Sequence, residues 1–221
     1  MAVTPSFYVK GLCMIQLKHR VTGAVLIRFD RDSLTNISVR GEKLAGCDLS
    51  GQDLKGATFS YCDMRNVDLS GANLSDANFR HSDLAGANLD GANLRNANLS
   101  DADLVGCSLK GADLTEADLT QARLTGADLS ECNLTSANLE KADVRATLRR
   151  AILVQANLRR ANLMGAVLIG ANLQNANLTG ANTAEIQLLG ANLDGARQAD
   201  GRPFGEIASR DSKKRWWRFW E

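Results

Sequence analysis

The chain is 221 residues long, with a formal net charge of +1 and 44% hydrophobic residues, the profile of one folded domain with terminal attachments. No apolar run approaches the roughly 18 residues of a membrane-spanning helix, and the opening FYVKGLCMIQLKHR breaks its short apolar stretch with charge, unlike a signal peptide. Five cysteines, an odd number, argue against a disulfide framework and fit a reducing cytoplasm.

In chain order, residues 1–8 predict a loose start. Val9 to Asp30 then alternates: Ile15, Leu17 and His19, followed by Val25, Ile27 and Phe29, with Thr22-Gly23 between. That alternation predicts a β-hairpin. A stacked fold leaves open strand edges at its ends, so residues 1–36 are assigned as a hairpin cap. A strand that recognises a partner is the alternative.

From about Ile37 to Gln198 one five-residue phrase recurs, as in ANLDGANLRNANLSDADL. It reads Ala, then Asn or Asp, then Leu, then two small or polar residues, and such internal repetition governs the whole fold. The Leu position runs in fives to Val144, one residue is missing, and the series resumes at Leu148; 26 of 33 such positions are Leu. Two residues earlier, 23 of 33 are Ala, and Cys47, Cys62, Cys107 and Cys132 fill four of the rest.

Neither regular element buries this pattern. On an α-helix successive leucines fall roughly 140° apart, and in a flat strand every second one faces water. A chain that corners once per quintet turns every Leu to a common axis, with four quintets closing a square coil. The small residue two places earlier shares the interior, while the residue before Leu and the two after it face solvent. Coils stacked at roughly 4.8 Å give a rod of about eight coils and about 38 Å. Glu42 and Gln52 stand at would-be interior sites, as expected of an irregular end coil.

The A(D/N)LXX phrase, unbroken in ADLTEADLTQARLTGADL, resembles the pentapeptide-repeat family. The resemblance covers residues 37–200 and implies an all-β, right-handed quadrilateral β-helix. It says little about function, since family members serve many roles.

Between Ile37 and Glu140 there are 16 acidic and 8 basic residues, a balance of −8. Asp63, Asp83 and Asp103 should stack on one outer wall, bracketed by Lys43 and Arg123. Like charges at strand spacing repel, so this ladder has a cost unless Arg65 or solvent relieves it. Resemblance to the quinolone-resistance and mycobacterial gyrase-protecting members implies one reading, a topoisomerase modulator whose carboxylates imitate DNA phosphates. A solvated face is the plainer one, because a DNA mimic needs acidity along its whole length and this chain reverses sign.

The reversal begins at the missing residue, and Lys141 to Asp200 holds 7 basic and 4 acidic residues. Arg145, Arg149, Arg150, Arg159 and Arg160 are expected to crowd around the break, where the deletion should pinch one corner. Beyond it outward positions turn apolar: Ile152 and Val154 on one wall, Val167, Ile169 and Leu189 on the next. Ile169 and Leu189 should be directly stacked, and a contiguous exposed patch marks a contact surface.

After Gly201-Arg202-Pro203 the repeat stops, leaving a basic tail, residues 201–221, with all three Trp in its last six positions. Asp211 or Ser212 is placed to cap a short helix carrying Trp216 and Trp220 on one face, with Trp217 and Phe219 beside them. Three readings stay open. The tail folds back over Ile169 and Leu189, anchors a protein partner or second subunit, or lies on an anionic membrane surface; single-stranded nucleic acid is a minor version of the last.

Catalysis finds no foothold: His19 and His81 lack a nucleophile set, metal-ligand spacing is missing, and the glycines are corner residues rather than a phosphate loop. The sequence therefore predicts a non-enzymatic, cofactor-free, cytoplasmic scaffold that presents charged and apolar walls to a protein partner. A homodimer through the tail and peripheral attachment to a membrane are the further partner expectations.

Overall fold

The computed structural model describes residues 14–30 and 32–204. Parallel bridges join positions 20 residues apart along four separate columns, so each coil has four walls of five residues. The first wall stacks Ser38, Thr58, Asn78, Asn98 and Asp118; the second stacks Lys43, Asp63, Asp83, Asp103 and Arg123. The third runs from Asp48 through Asp68, Asn88, Ser108 and Asp128, and the fourth from Asp53 through Asn73, Asn93, Asp113 and Asn133. The period read from the sequence is the length of one wall.

Every central Leu from Leu44 to Leu178 is fully buried, and the Ala and Cys residues two places before these positions are buried beside it. Burying one Leu is worth about 1.5–3 kcal/mol, and the column repeats that gain at every wall. Phe59 and Phe79 stack in register within the first wall, ring centroids 5.2 Å apart. Ser82 takes a buried Ala position without penalty, because its hydroxyl donates to the Phe79 carbonyl at 2.6 Å.

The corners are turns. The amide of each interior Ala donates to the preceding Leu carbonyl, as Ala97 does to Leu94 at 3.0 Å. The second residue after Leu has a positive φ, the signature of a type II turn. Glycine suits this position, yet Tyr61 (φ 63°), Gln121 (φ 60°) and Arg160 (φ 56°) adopt it too. That conformation costs a residue with a side chain roughly 1–2 kcal/mol, which the interior must offset. The Asn or Asp before Leu helps, since its side-chain oxygen accepts the amide two residues on: Ser100 to Asn98 at 3.0 Å, Thr115 to Asp113 at 3.0 Å. Side-chain amides also link coils, with Asn73 donating to Asp53 at 2.8 Å and Asn93 to Asn73 at 3.2 Å.

The missing residue is absorbed at one corner. The Ala146 amide donates to the Val144 carbonyl at 2.9 Å, a three-residue turn in place of the usual four-residue one. Bridge spacing falls to 19 residues from Asp128–Thr147 through Asp143–Asn162 and returns to 20 at Thr147–Val167. The corner is pinched, as expected, and the walls keep register.

At the N-terminal end β1 (Met14–Lys18) and β2 (Val25–Asp30) form the antiparallel hairpin. The chain leaving β1 pairs with the third wall of the first coil: Arg20 donates to the Gly46 carbonyl at 2.9 Å, and Asp48 donates to that of Lys18 at 3.3 Å. Leu17 is fully buried against the core. The hairpin thereby covers a strand edge that would otherwise be open. In this first coil Glu42 is exposed and Gln52 half-buried, so the two polar residues escape the interior at the rod's end. At the other end the Phe204 amide donates to the Ala196 carbonyl at 3.0 Å, and Arg197 bridges Pro203 antiparallel, a short return along the first wall. The expected tail helix with Trp216, Trp217, Phe219 and Trp220 lies outside the described residues.

Truncation of the central column should be costly in proportion to burial. Leu94→Ala is expected to lose about 2–5 kcal/mol in urea unfolding. Leu193→Ala, in the half-buried last coil, should lose less than half as much.

Candidate functional site

The acidic ladder exists as predicted, Asp63 bridging Asp83 and Asp83 bridging Asp103 on the second wall. It is not bare. Arg65 forms a two-pronged pair with Asp63, Nε to Oδ1 at 2.8 Å and Nη2 to Oδ2 at 2.7 Å, and its Nε lies 3.5 Å from Asp83 Oδ2. Arg123 closes the lower end on Asp103 at 2.6 Å. The Arg65 guanidinium holds the Asp63 carboxyl below its ordinary range, and Arg145 does the same to Asp143. These groups remain substantially exposed, so the pairs relieve repulsion more than they add stability.

The five arginines of the basic third do not converge on the break. Five residues make one wall, so Arg149-Arg150 and Arg159-Arg160, ten apart, lie at diagonally opposite edges of the rod. Backbone bonds fix this: Arg150 donates to the Ile169 carbonyl on the third wall at 3.0 Å, and Arg160 to Thr179 on the first wall at 3.0 Å. Arg145 sits between them and is committed to Asp143 (2.8 and 2.6 Å) and to Thr125 Oγ1 (3.2 Å). Arg150 has one loose partner, Glu131 at 3.7 Å, with both side chains more than 60% exposed. Among the described residues Arg149, Arg159 and Arg160 have no ion pair.

The apolar candidates do come together with one of these pairs. Val167 and Ile169 flank Leu168 on the third wall, and Leu189 lies directly beyond Ile169, since the Gly170 amide donates to the Leu189 carbonyl at 2.8 Å. Ile152 and Val154 flank Leu153 on the fourth wall, which begins just past Arg150. The Arg150 stem passes within 3.6 Å of where a Cβ would stand on Gly170, which keeps that corner low. The result is a basic and apolar edge where the third and fourth walls meet. Leu189 is 65% and Ile152 40% exposed, the other three half-buried.

These residues break the rule that builds the corners. An Asn or Asp before Leu accepts the amide two residues on. With Ile152 and Val167 in that place, the amides of Val154 and Ile169 have no side-chain acceptor. Each substitution forgoes a hydrogen bond worth about 0.5–1.5 kcal/mol. The rod gains nothing inward from either side chain.

Two features were missed in the sequence. Met164 is 41% exposed, outward on the second wall, and its solitary place after Leu163 gave no signal. Along the edge between the first and second walls, Arg40 lies 4.8 Å over the Tyr61 ring, the Tyr61 and His81 rings meet tilted by 34° with centroids 4.9 Å apart, and His81 Nε2 is 3.7 Å from Asp101. The 20-residue spacing of Tyr61, His81 and Asp101 could have revealed that column.

Burial pushes the thiols of Cys47, Cys107 and Cys132 up to about 12, so they are poor nucleophiles at neutral pH. Among the described residues no cluster of three His, Cys, Asp or Glu could hold a metal, and no helix is long and apolar enough to cross a membrane.

A family model described as pentapeptide repeats matches in 8 copies over residues 33–71, 72–111, 112–145, 144–180 and 171–197. No curated protein matches the chain. Among solved structures, HetL of the cyanobacterium Nostoc sp. strain PCC 7120, a pentapeptide repeat protein involved in regulating heterocyst differentiation, is 31% identical over 76% of this chain and 92% of its own, with a TM-score of 0.45. Full-length QnrB1, a plasmid-mediated fluoroquinolone resistance protein, is 20% identical over 75% of this chain and 88% of its own, with a TM-score of 0.55. The latter likeness concerns the fold alone.

Removing the Arg65 guanidinium should raise the Asp63 carboxyl back toward the ordinary carboxylate range, read by NMR titration of Arg65→Ala. A carboxyl depressed in the folded state stabilises fully above its unfolded pKa and loses that contribution as pH falls through its folded pKa. The stability gap between parent and Arg65→Ala is therefore largest at neutral pH and closes in acid.

Proposed function

The chain belongs to the pentapeptide repeat family, and from that premise we propose that it is a non-enzymatic scaffold whose contact surface is the basic and apolar edge between the third and fourth walls. The rod fixes the backbone, so Arg149, Arg150, Ile152, Val154, Val167, Ile169 and Leu189 are presented to a protein partner with no backbone ordering cost at binding. One observation carries the reading: Ile152 and Val167 give up corner hydrogen bonds that Asn or Asp would supply, for no return inside the rod. An exposed apolar strip beside the unpaired Arg149 and the loosely paired Arg150 suits an acidic, amphipathic segment of a partner. The buried free thiols suit a reducing compartment.

Imitation of DNA is the weaker reading. Arg65 and Arg123 interrupt the carboxylate column, where a phosphate mimic needs continuous negative charge. HetL and QnrB1, which carry different biological descriptions on similar repeats, support a fold that takes its role from what its walls display.

Crosslinking from a photoreactive residue at position 189, followed by identification of the captured protein, gives the partner. Leu189→Asp and Arg149→Glu are each expected to weaken its binding by about tenfold or more, while Asp83→Asn leaves it unchanged. The reverse pattern would turn the proposal toward the acidic wall.

A further inference from the structure

The last coil differs from all before it. Central residues that are fully buried through Leu178 become half-buried at Thr183, Leu188 and Leu193, and Ile186 stands where Ala is usual. In earlier coils the central amide donates to the coil beyond, as Leu168 does to Gln187 at 2.8 Å and Leu173 to Asn192 at 2.7 Å. The amides of Thr183, Leu188 and Leu193 have no such acceptor among the described residues. Among the described residues only the first wall is closed, by the short return through Arg202–Phe204. Among the described residues three walls therefore end in unpaired strand edge around an apolar mouth, a surface that solenoids must cover.

We propose that residues 205–221 of the same chain cover this mouth. Phe204 already lies on that end, packed against the core, and 17 residues follow it. At about 3.3 Å per extended residue they reach roughly 56 Å, ample for a rod whose whole perimeter takes 20 residues. They bring Ile207, Trp216, Trp217, Phe219 and Trp220, apolar area to match Ile186, Leu188 and Leu193. Charge also complements: with 5 basic and 3 acidic residues the segment is +2, while the last coil, residues 181–200, has 1 basic and 3 acidic and is −2. A short tether gives a local concentration of order millimolar, so the segment occupies the mouth ahead of a second copy present at lower concentration.

All three tryptophans lie in the segment, so their fluorescence reports its position. In the intact chain acrylamide should quench them about fivefold less than in a synthetic 205–221 peptide, unchanged on dilution. Amide exchange at Leu188 and Leu193 should be about tenfold slower than in the full-length variant with Trp216→Ser, Trp217→Ser and Trp220→Ser. Leu188→Asp should restore peptide-like quenching; if it unfolds the last coil, the serine variant still decides through exchange. Quenching equal to the peptide's, with unprotected amides, overturns the proposal. Shielding lost on dilution points to a second copy, and shielding only with anionic lipid vesicles to a membrane; either overturns it. None of these results bears on partner binding at Leu189, which is read separately.

Discussion

The structure depends on one constraint: a leucine side chain and a small residue from each of four walls must fill a square interior at every level. Strands cannot do this without corners, and the corners of the regular five-residue walls each take a positive φ. The interior gain has to exceed that backbone cost, which explains why the central position tolerates so little variation and turns polar only at the C-terminal end, at Thr183 and Gln198. Where the chain is one residue short, after Val144, the corner tightens and the interior stays intact. The corner yields before the core does.

Once the interior is fixed, the outer surface divides into positions the rod needs and positions it leaves free. Asn or Asp before Leu belongs to the first kind, because it holds the corner and links neighbouring coils. The two residues after Leu are freer. The proposed contact edge lies where such needed positions are surrendered, at Ile152 and Val167. The three stacked carboxylates surrender nothing: Asp63, Asp83 and Asp103 each occupy a place where Asp also serves the corner, with Asp83 accepting the Ala85 amide at 3.1 Å and Asp103 that of Val105 at 3.1 Å. Their presence needs no partner to explain it.

The coil, the hairpin and the stacking of Ile169 on Leu189 were legible in the sequence because each follows from a period. The separation of the arginines was not, because closeness along the chain is not closeness in space: ten residues here carry a side chain to the opposite edge of the rod. Arg65 was recognisable as the relief for Asp63 since the two lie in one quintet. The corner-holding role of Asn and Asp was hidden, because outward exposure alone accounted for their polarity. The column from Arg40 to Asp101 needed rings and charges to be traced across coils rather than along them.

The central claim is that position within the quintet, rather than local sequence, decides what the fold tolerates. Urea unfolding of two single-glycine insertions tests it most directly. A glycine between Arg145 and Ala146 completes the short corner and should change stability by no more than about 1 kcal/mol. A glycine between Asn93 and Leu94 turns the wall out of phase and should cost more than about 4 kcal/mol or abolish folding. Equal tolerance of the two insertions would contradict the account.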